Sequence, residues 1–510
     1  MDKKRYVIGL DLGTTSAKAV IFKKDGSVVS EAEQTYPFLD TDAAKAEQDP
    51  LAIENAAIEA IRRSLVTGGI SGDEVLSVGL SSAMHSLICV DENNEPLSSV
   101  ITWADRRSAE QATRLKMSTE GTEIYQQSGT PIHPMSPLAK LIWMRETAYG
   151  PYERASKFLS IKEFLTSRWF GVDAVDYSVA SATGLFDIKE MTWNEQALNV
   201  AGIDRSQLST PVAPTYVFHG LDARVSERTG LRVDVPFVAG ASDGPLANLG
   251  IGAINPGETA ITIGTSGAIR QMANRPNTDE QQNVFCYGVT EDLWILGGPT
   301  NNGAIVLQWL KDTLGEKEVE EAAKNGDDAF TLLTARAEQA SPGSNGLLFL
   351  PYLNGERAPH WDANARGSYI GLSMDHRKEH FLRAGMEGVM FNLYNIHEAV
   401  GRLVGETTSL YANGGFARSP FWVQMLADMF GQDVHLPSSH QSAAWGAAWF
   451  SMLAIGEVRD LASIKEYIPM QGKVTPHADT SARYRELYGV YRNIYETLKP
   501  TFDALQRVQQ

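Results

Sequence analysis

Cysteine is almost missing. Two residues, Cys89 and Cys286, stand alone in a chain of 510, each among apolar neighbours and in no Cys-x-x-Cys spacing, which excludes a zinc or dithiol motif and predicts two reduced core thiols. No apolar run reaches the roughly 20 residues that a membrane span needs; the longest, 443–455, is interrupted by Ser451. The charged start, residues 1–5, runs into a strand pattern holding Asp11, so no secretory signal is expected there. An excess of positive charge is missing as well: 45 Lys and Arg against 62 Asp and Glu leave a net charge of −17, which repels nucleic acid and anionic membranes. Low-complexity tracts are absent. These absences point to a cytoplasmic globular protein whose partners are small molecules.

What is there suffices for more than one core. The chain exceeds the ceiling of about 250 to 300 residues for a single core, and 43% hydrophobic with 21% charged residues is the composition of a soluble protein. Two large domains are expected. Residues 6–10 read as a buried strand that meets Asp11-Leu12-Gly13-Thr14-Thr15-Ser16 and resumes at 19–22, a hairpin with a polar tip. The turn Asp25-Gly26 adds a third antiparallel strand. Asp49 then caps a helix beginning at Pro50, with Ile53, Ala57, Ile61 and Leu65 on one face, and strands follow at 75–80 and 87–90. Half a chain later, Ile263-Gly264-Thr265-Ser266-Gly267-Ala268 echoes the first hairpin tip after an equally apolar run. The self-similarity predicts a duplicated fold with a boundary between 246 and 257 and domains 1–247 and 248–510. Helices are expected over 303–314, 319–323, 380–404 and 422–429, with the acidic run 316–321 as a solvated helix face.

Four groups of residues could carry chemistry. At the first hairpin tip, a glycine turn lets main-chain N–H groups and the hydroxyls of Thr14, Thr15 and Ser16 approach phosphate oxygens, with Lys18 nearby and Asp11 placed to hold magnesium through water. The alternative is an ordinary polar turn, and the second copy at Gly264 and Thr265 shifts the balance toward phosphate. Asp243, in Gly240-Ala241-Ser242-Asp243-Gly244-Pro245, is either a carboxylate that small neighbours leave open to a substrate or a helix N-cap. Ser81-Ser82-Ala83-Met84-His85 and Thr102-Trp103-Ala104-Asp105-Arg106-Arg107 together offer an aromatic face, a carboxylate, an imidazole and guanidinium groups, a set suited to polyols and carboxylates. Each could also be structural.

Longer motifs give these residues a context. Pro137-Leu138-Ala139-Lys140-Leu141-Ile142-Trp143-Met144, Gly367-Ser368-Tyr369-Ile370-Gly371-Leu372 with His380-Phe381 and Ala384-Gly385-Met386-Glu387, Gly414-Gly415-Phe416-Ala417-Arg418-Ser419, and Trp445-Gly446-Ala447-Ala448 occur in this order. With the Asp-x-Gly-Thr-Thr-Ser opening they resemble the FGGY family of carbohydrate kinases over nearly the whole chain.

The resemblance implies an α/β fold of two ribonuclease H-like, actin-like ATPase domains with an interdomain cleft, the N-terminal domain on the substrate side and the C-terminal one on the nucleotide side. It implies ATP and Mg2+, with Asp243 as catalytic base and Asp11 and Asp243 near the metal. Gly13, Thr14, Thr15, Ser16, Lys18, Gly264, Thr265, Gly303 and Gln308 fall where the family holds phosphates, and Gly415 and Ser419 where it holds adenosine. Met84, His85, Trp103, Asp105, Arg106 and His133 fall on the sugar side. The runs at 81–86, 101–105 and 129–135 are most similar to the family's gluconate-phosphorylating members, which implies a sugar acid as partner; xylulose or another polyol is the alternative. A homodimer is compatible with the reading. An actin-like filament subunit and a sugar sensor without catalysis are the rivals outside the kinases. Gln441, where the family commonly has glutamate, Trp445, where it has leucine, and Gly385 are departures, and the first two bear on the adenine side.

Overall fold

A computed structural model describes residues 5–39, 42, 44–438 and 441–509. The first four residues of the charged start lie outside the described residues. By their internal contacts the described residues form two compact units, each assembled from three segments: Met1–Pro256, Met272–Leu296 and Ser439–Pro469 in the first, Gly257–Gln271, Gly297–Ser438 and Met470–Gln510 in the second. The units part at 256/257, and two later segments return to the first, where the sequence suggested one cut at 247/248.

In the first unit, the strands Tyr6–Leu12, Ser16–Lys23 and Val28–Thr35 form the expected antiparallel meander. Asp49 accepts a hydrogen bond from the Leu51 N–H and starts the helix Pro50–Gly68, which ends at Gly69 with φ 62°. Its buried Ile53, Ala57, Ile61 and Leu65 recur at helical spacing, and burying each larger one stabilises the fold by about 1.5–3 kcal/mol. The strand Val75–Ser82 pairs parallel with Tyr6–Leu12, and Phe237–Ser242 pairs parallel with Val75–Ser82. The sheet therefore carries three adjacent parallel strands whose C-terminal ends lie at one edge.

The helix Ser442–Ala454 also belongs to this unit. It approaches the sheet so closely that a Cβ at Gly9 would stand 2.0 Å from the Ala444 carbonyl oxygen, and one at Gly79 would stand 1.9 Å from that of Ala447. Only glycine permits this approach. Trp445, which was expected to bear on the adenine side, is buried in the first unit's core, its ring 5.0 Å from Phe22 and 5.6 Å from Trp449. Gln441 donates to the Glu31 carboxylate in the same unit.

The second unit repeats the design. Glu258–Ile263 and Gly267–Ala273 form the second hairpin; Ser409–Asn413 pairs parallel with its first strand, Val434–Pro437 pairs parallel beyond that, and Met470–Val474 closes the edge antiparallel. The helices Ile305–Leu314, Lys378–Val404 and Pro420–Phe430 surround this core. The acidic run forms part of the helix Glu316–Asn325, but its face is not wholly solvated. Glu318 is buried and paired with Lys378 and Arg336, a non-local contact that the local charge pattern does not reveal. Both cysteines are free and buried, and burial pushes their thiols up to about 12.

Candidate functional site

In the first unit the parallel ladders align Asp11 with Ser81 and Ser81 with Ala241, then Leu12 with Ser82 and Ser82 with Ser242. Asp11 and Asp243 thus emerge at the same sheet edge with one strand between them, and the carboxyl ends of parallel strands are where α/β sheets present ligand sites. Ser81 Oγ donates to Asp11 Oδ1 at 2.6 Å. Burial pushes the Asp11 carboxyl up, while the Ser81 hydroxyl and the Lys18 and Lys162 charges pull it down. Asp243 occupies the first turn of the helix Asp243–Gly250, with Ser242 rather than Asp243 in the capping position. The Gly244 N–H donates to Asp243 Oδ1 at 2.8 Å, and a carboxylate suits a helix N-terminus. Magnesium is commonly held by one or two carboxylates completed with water and phosphate oxygens, a description the pair fits. Among the described residues no three or more His, Cys, Asp or Glu side chains gather into a protein cage for a metal.

The first hairpin tip is bound into its surroundings. Tyr36 donates its hydroxyl to the Gly13 carbonyl at 2.5 Å, Gln48 donates to the Thr14 carbonyl at 2.7 Å, and Trp103 Nε1 donates to Thr14 Oγ1 at 3.1 Å. Ser16 donates to Glu33, which also pairs with Lys18 at 3.6 Å; Thr15 is exposed. Gly13, Thr14, Met84 and Trp103 line one small cavity of about 20 Å³. That is room for a water, not a sugar.

The remaining sugar-side residues differ in exposure and in partners. His85 adopts φ 66°, its Nδ1 lies 2.6 Å from the Ala182 carbonyl oxygen, and its own carbonyl accepts from Lys140 Nζ. Arg106 is exposed. His133 is half-buried, and its Nδ1 accepts from the Met135 N–H at 3.1 Å. Asp105, expected among the substrate contacts, is 2% exposed, accepts from the Ala46 N–H and pairs with Arg107 at 2.8 Å. Arg107 lies over the Trp143 ring. The Asp105 carboxylate is committed to shaping the loop that carries Trp103 and Arg106.

In the second unit the hairpin tip Gly264, Thr265 and Ser266 is exposed and zipped to the start of the helix Ile305–Leu314. The N–H groups of Gly303 and Ile305 donate to the Thr265 carbonyl at 3.2 and 3.1 Å, and that of Ala304 to the Gly264 carbonyl at 2.7 Å. A Cβ on Gly303 would stand 2.5 Å from the Ser266 carbonyl. Gln308 is tied to Asp312 and Lys311 along its own helix. Gly415 is exposed with open space above its Cα, and Ser419 caps Pro420–Phe430 by accepting from the Trp422 N–H.

Two supports escaped the sequence analysis. Lys140 is 1% exposed in the helix Pro137–Glu146, whose other buried residues are all apolar. Burial pulls its ammonium down to about 7 against the Asp105 carboxylate. Glu356 lies beneath the loop leading to Gly303 and accepts from Thr300 Oγ1, the Asn301 N–H, Asn302 Nδ2 and Asn392 Nδ2 at 2.6 to 3.1 Å; burial pushes its carboxyl up. The available signals were a lone lysine amid apolar residues and the charged pair Glu356-Arg357 after a buried strand.

Two duplicated α/β units, each with a glycine-threonine hairpin beside parallel strands, define a ribonuclease H-like, actin-like ATPase fold. The N-terminal domain of the FGGY family of carbohydrate kinases matches residues 6–250 and its C-terminal domain matches residues 259–455. The chain belongs to this family. It is 42% identical over 506 residues to a gluconokinase of Bacillus subtilis, covering 99% of this chain and 98% of that one. A crystal structure of gluconate kinase from Lactobacillus acidophilus superposes with TM-score 0.92 at 34% identity, covering 98% and 99% of the two chains. A ligand-bound xylulose kinase from the same species gives 0.93 at 33%, also covering 98% and 99%.

Proposed function

We propose that the protein transfers the γ-phosphoryl group of ATP to the primary hydroxyl of D-gluconate, giving 6-phospho-D-gluconate and ADP, with Asp243 as general base. The observation that carries the substrate is the full-length likeness to a gluconokinase. The chemistry rests on Asp243, which is partly exposed and directly follows a strand, Phe237–Ser242, whose residues are all buried. Its carboxylate takes the hydroxyl proton as the oxygen bonds to the γ-phosphorus and the bond to the β,γ-bridging oxygen breaks. The Gly244 N–H holds one oxygen of this carboxylate. His85, Arg106 and His133 are the candidate partners for the gluconate carboxylate, with Met84 and Trp103 beside the sugar. Gly13, Thr14, Thr15, Ser16, Lys18, Gly264, Thr265, Gly303 and Gln308 serve the phosphates in this reading, and Gly415 and Ser419 the adenosine. Asp11 and Asp243 would hold magnesium, which when bound neutralises charge on the β- and γ-phosphate oxygens.

Among the described residues no helix is long and apolar enough to cross a membrane, which suits a reaction between dissolved reactants. ADP release over gluconate, xylulose, ribulose and glycerol tests the substrate. Gluconate is expected to have the highest kcat/KM; a neutral sugar ahead by more than about tenfold, roughly 1.4 kcal/mol of transition-state binding, would sink the assignment.

A further inference from the structure

The strand that delivers Asp243 is irregular just before its end. Phe237 and Val238 pair with Val78 and Gly79, but Ala241 and Ser242 pair with Ser81 and Ser82, so one extra residue enters between them. Gly240 sits in this bulge with φ 59°, and a Cβ there would stand 2.0 Å from the Leu80 carbonyl oxygen. Because side chains alternate across a sheet, one inserted residue reverses the faces of everything beyond it. The bulge therefore sets the register of Ser242, the last strand residue, which leads directly into Asp243.

A bulge also turns backbone carbonyls out of the ladder, and here a buried cation meets them. Lys162, 4% exposed, donates from Nζ to the carbonyls of Ala239 and Ala241, both at 3.0 Å, one on each side of Gly240. Asp176, 1% exposed, balances the charge with Oδ2 2.6 Å from Nζ, an ion pair rather than an aligned hydrogen bond. Its Oδ1 accepts from the N–H groups of Ser178 and Val179 and from Ser178 Oγ. Ser178 Oγ in turn accepts the Ser242 N–H at 2.6 Å and lies 3.0 Å from Ser242 Oγ. Buried charge is costly unless fully paired. This pair sits at the single distortion of the strand and reaches, through Ser178, the residue before Asp243.

We propose that Lys162, neutralised by Asp176, is a positioning residue for Asp243: it clamps the Gly240 bulge and so sets the aim of the carboxylate. The inference rests on the reading of Asp243 as the base. In this assignment Lys162 touches neither sugar nor nucleotide, and its loss should act on kcat through Asp243 while leaving ATP binding alone.

The test is a set of variants assayed with ATP and gluconate. Lys162→Met leaves Asp176 buried and unpaired and can fail to fold, so the working variant is Lys162→Met with Asp176→Asn, which removes both charges and keeps a side chain able to cap the helix at 177. We expect a folded protein with kcat lowered by on the order of 10- to 100-fold and KM for ATP changed by less than about twofold. In an Asp243→Asn background the same pair should cost less than about twofold more, because the group it positions is gone. A merely structural pair would subtract equally in both backgrounds, and that result overturns the proposal. Normal kcat in the charge-free variant beside a crippled Asp243→Asn overturns it alone, whereas an active Asp243→Asn brings down the base reading and this inference together.

Discussion

The hairpin of the first unit turns through four residues, Gly13 to Ser16, between the paired Leu12 and Ala17, and that of the second through three, Gly264 to Ser266, between Ile263 and Gly267. Both close with a glycine N–H donating to a serine carbonyl, Gly13 to Ser16 at 3.0 Å and Gly264 to Ser266 at 2.9 Å. Their surroundings differ. Asp11 faces Lys18 across the first hairpin and Ser81 on the parallel strand, whereas Thr262, at the matching position, faces Ala268 and Asn413. The Thr262 hydroxyl has no hydrogen-bond partner among the described residues. The first tip is held by the side chains of Tyr36, Gln48 and Trp103 together with the Tyr36 N–H on the Thr15 carbonyl, and the second by backbone bonds to the start of a helix. One backbone design thus serves an acidic site in one unit and a neutral, glycine-lined loop in the other, because what packs beneath each tip differs.

The strongest way to sharpen this contrast is to remove the acidic chemistry alone. Asp243→Asn keeps the size of the side chain and lies at a helix start where asparagine is tolerated, so the fold should persist. With the proton acceptor gone, kcat should fall by on the order of 10² to 10⁴ while KM for ATP stays put. If steady-state kinetics on the folded variant give near-normal turnover, the first unit does not hold the base.

Alanine at a packed glycine should separate the units by phenotype. Gly79→Ala forces a Cβ against the Ala447 carbonyl and should lower stability by about 1–3 kcal/mol, occasionally more, read as a lower midpoint in urea. Gly303→Ala presses on the Ser266 carbonyl and should raise KM for ATP by about tenfold or more, as a displaced phosphate loop loses about 1.4 kcal/mol of binding. Equal effects on ATP affinity from the two variants would erase the proposed division between a supporting contact and a nucleotide loop.

Smaller effects should appear in pH titrations of stability. Lys140 in the first unit is pulled down to about 7 by burial, against about 10.4 when unfolded. Between these values the unfolded chain binds a proton that the folded chain does not, so stability rises with pH. Wild type should therefore gain on Lys140→Met from pH 7 to 9. In the second unit burial holds His397 down at about 4, against about 6.5 unfolded. By the same sign, its contribution is lost as pH falls from about 6.5 toward 4. Wild type should gain on His397→Gln between pH 4.5 and 6.5 and show no such gain above pH 7. Thermal melts across both windows check the pair, and a slope in the wrong window would mean that the group is charged in the fold.

What the sequence determined by itself was local in origin. The meander 6–35, the Asp49-Pro50 helix start and both glycine-threonine tips were legible because turn residues and side-chain periodicity act within a few positions. Asp243 stood out for the same reason, a carboxylate between small residues at the junction of a strand and a helix. Only tertiary structure decided that Asp105 is spent on Arg107, that the helix Ser442–Ala454 packs in the first unit with Trp445 in its core, and that Lys162 lies under the strand leading to Asp243. Those outcomes depend on which groups are taken out of water together, and the partners are far apart in the chain: Lys162 meets carbonyls 77 and 79 residues away. The charge and polarity of such a residue are written in the sequence, but whether it faces solvent, substrate or a buried counter-charge is fixed by the desolvation of its neighbours.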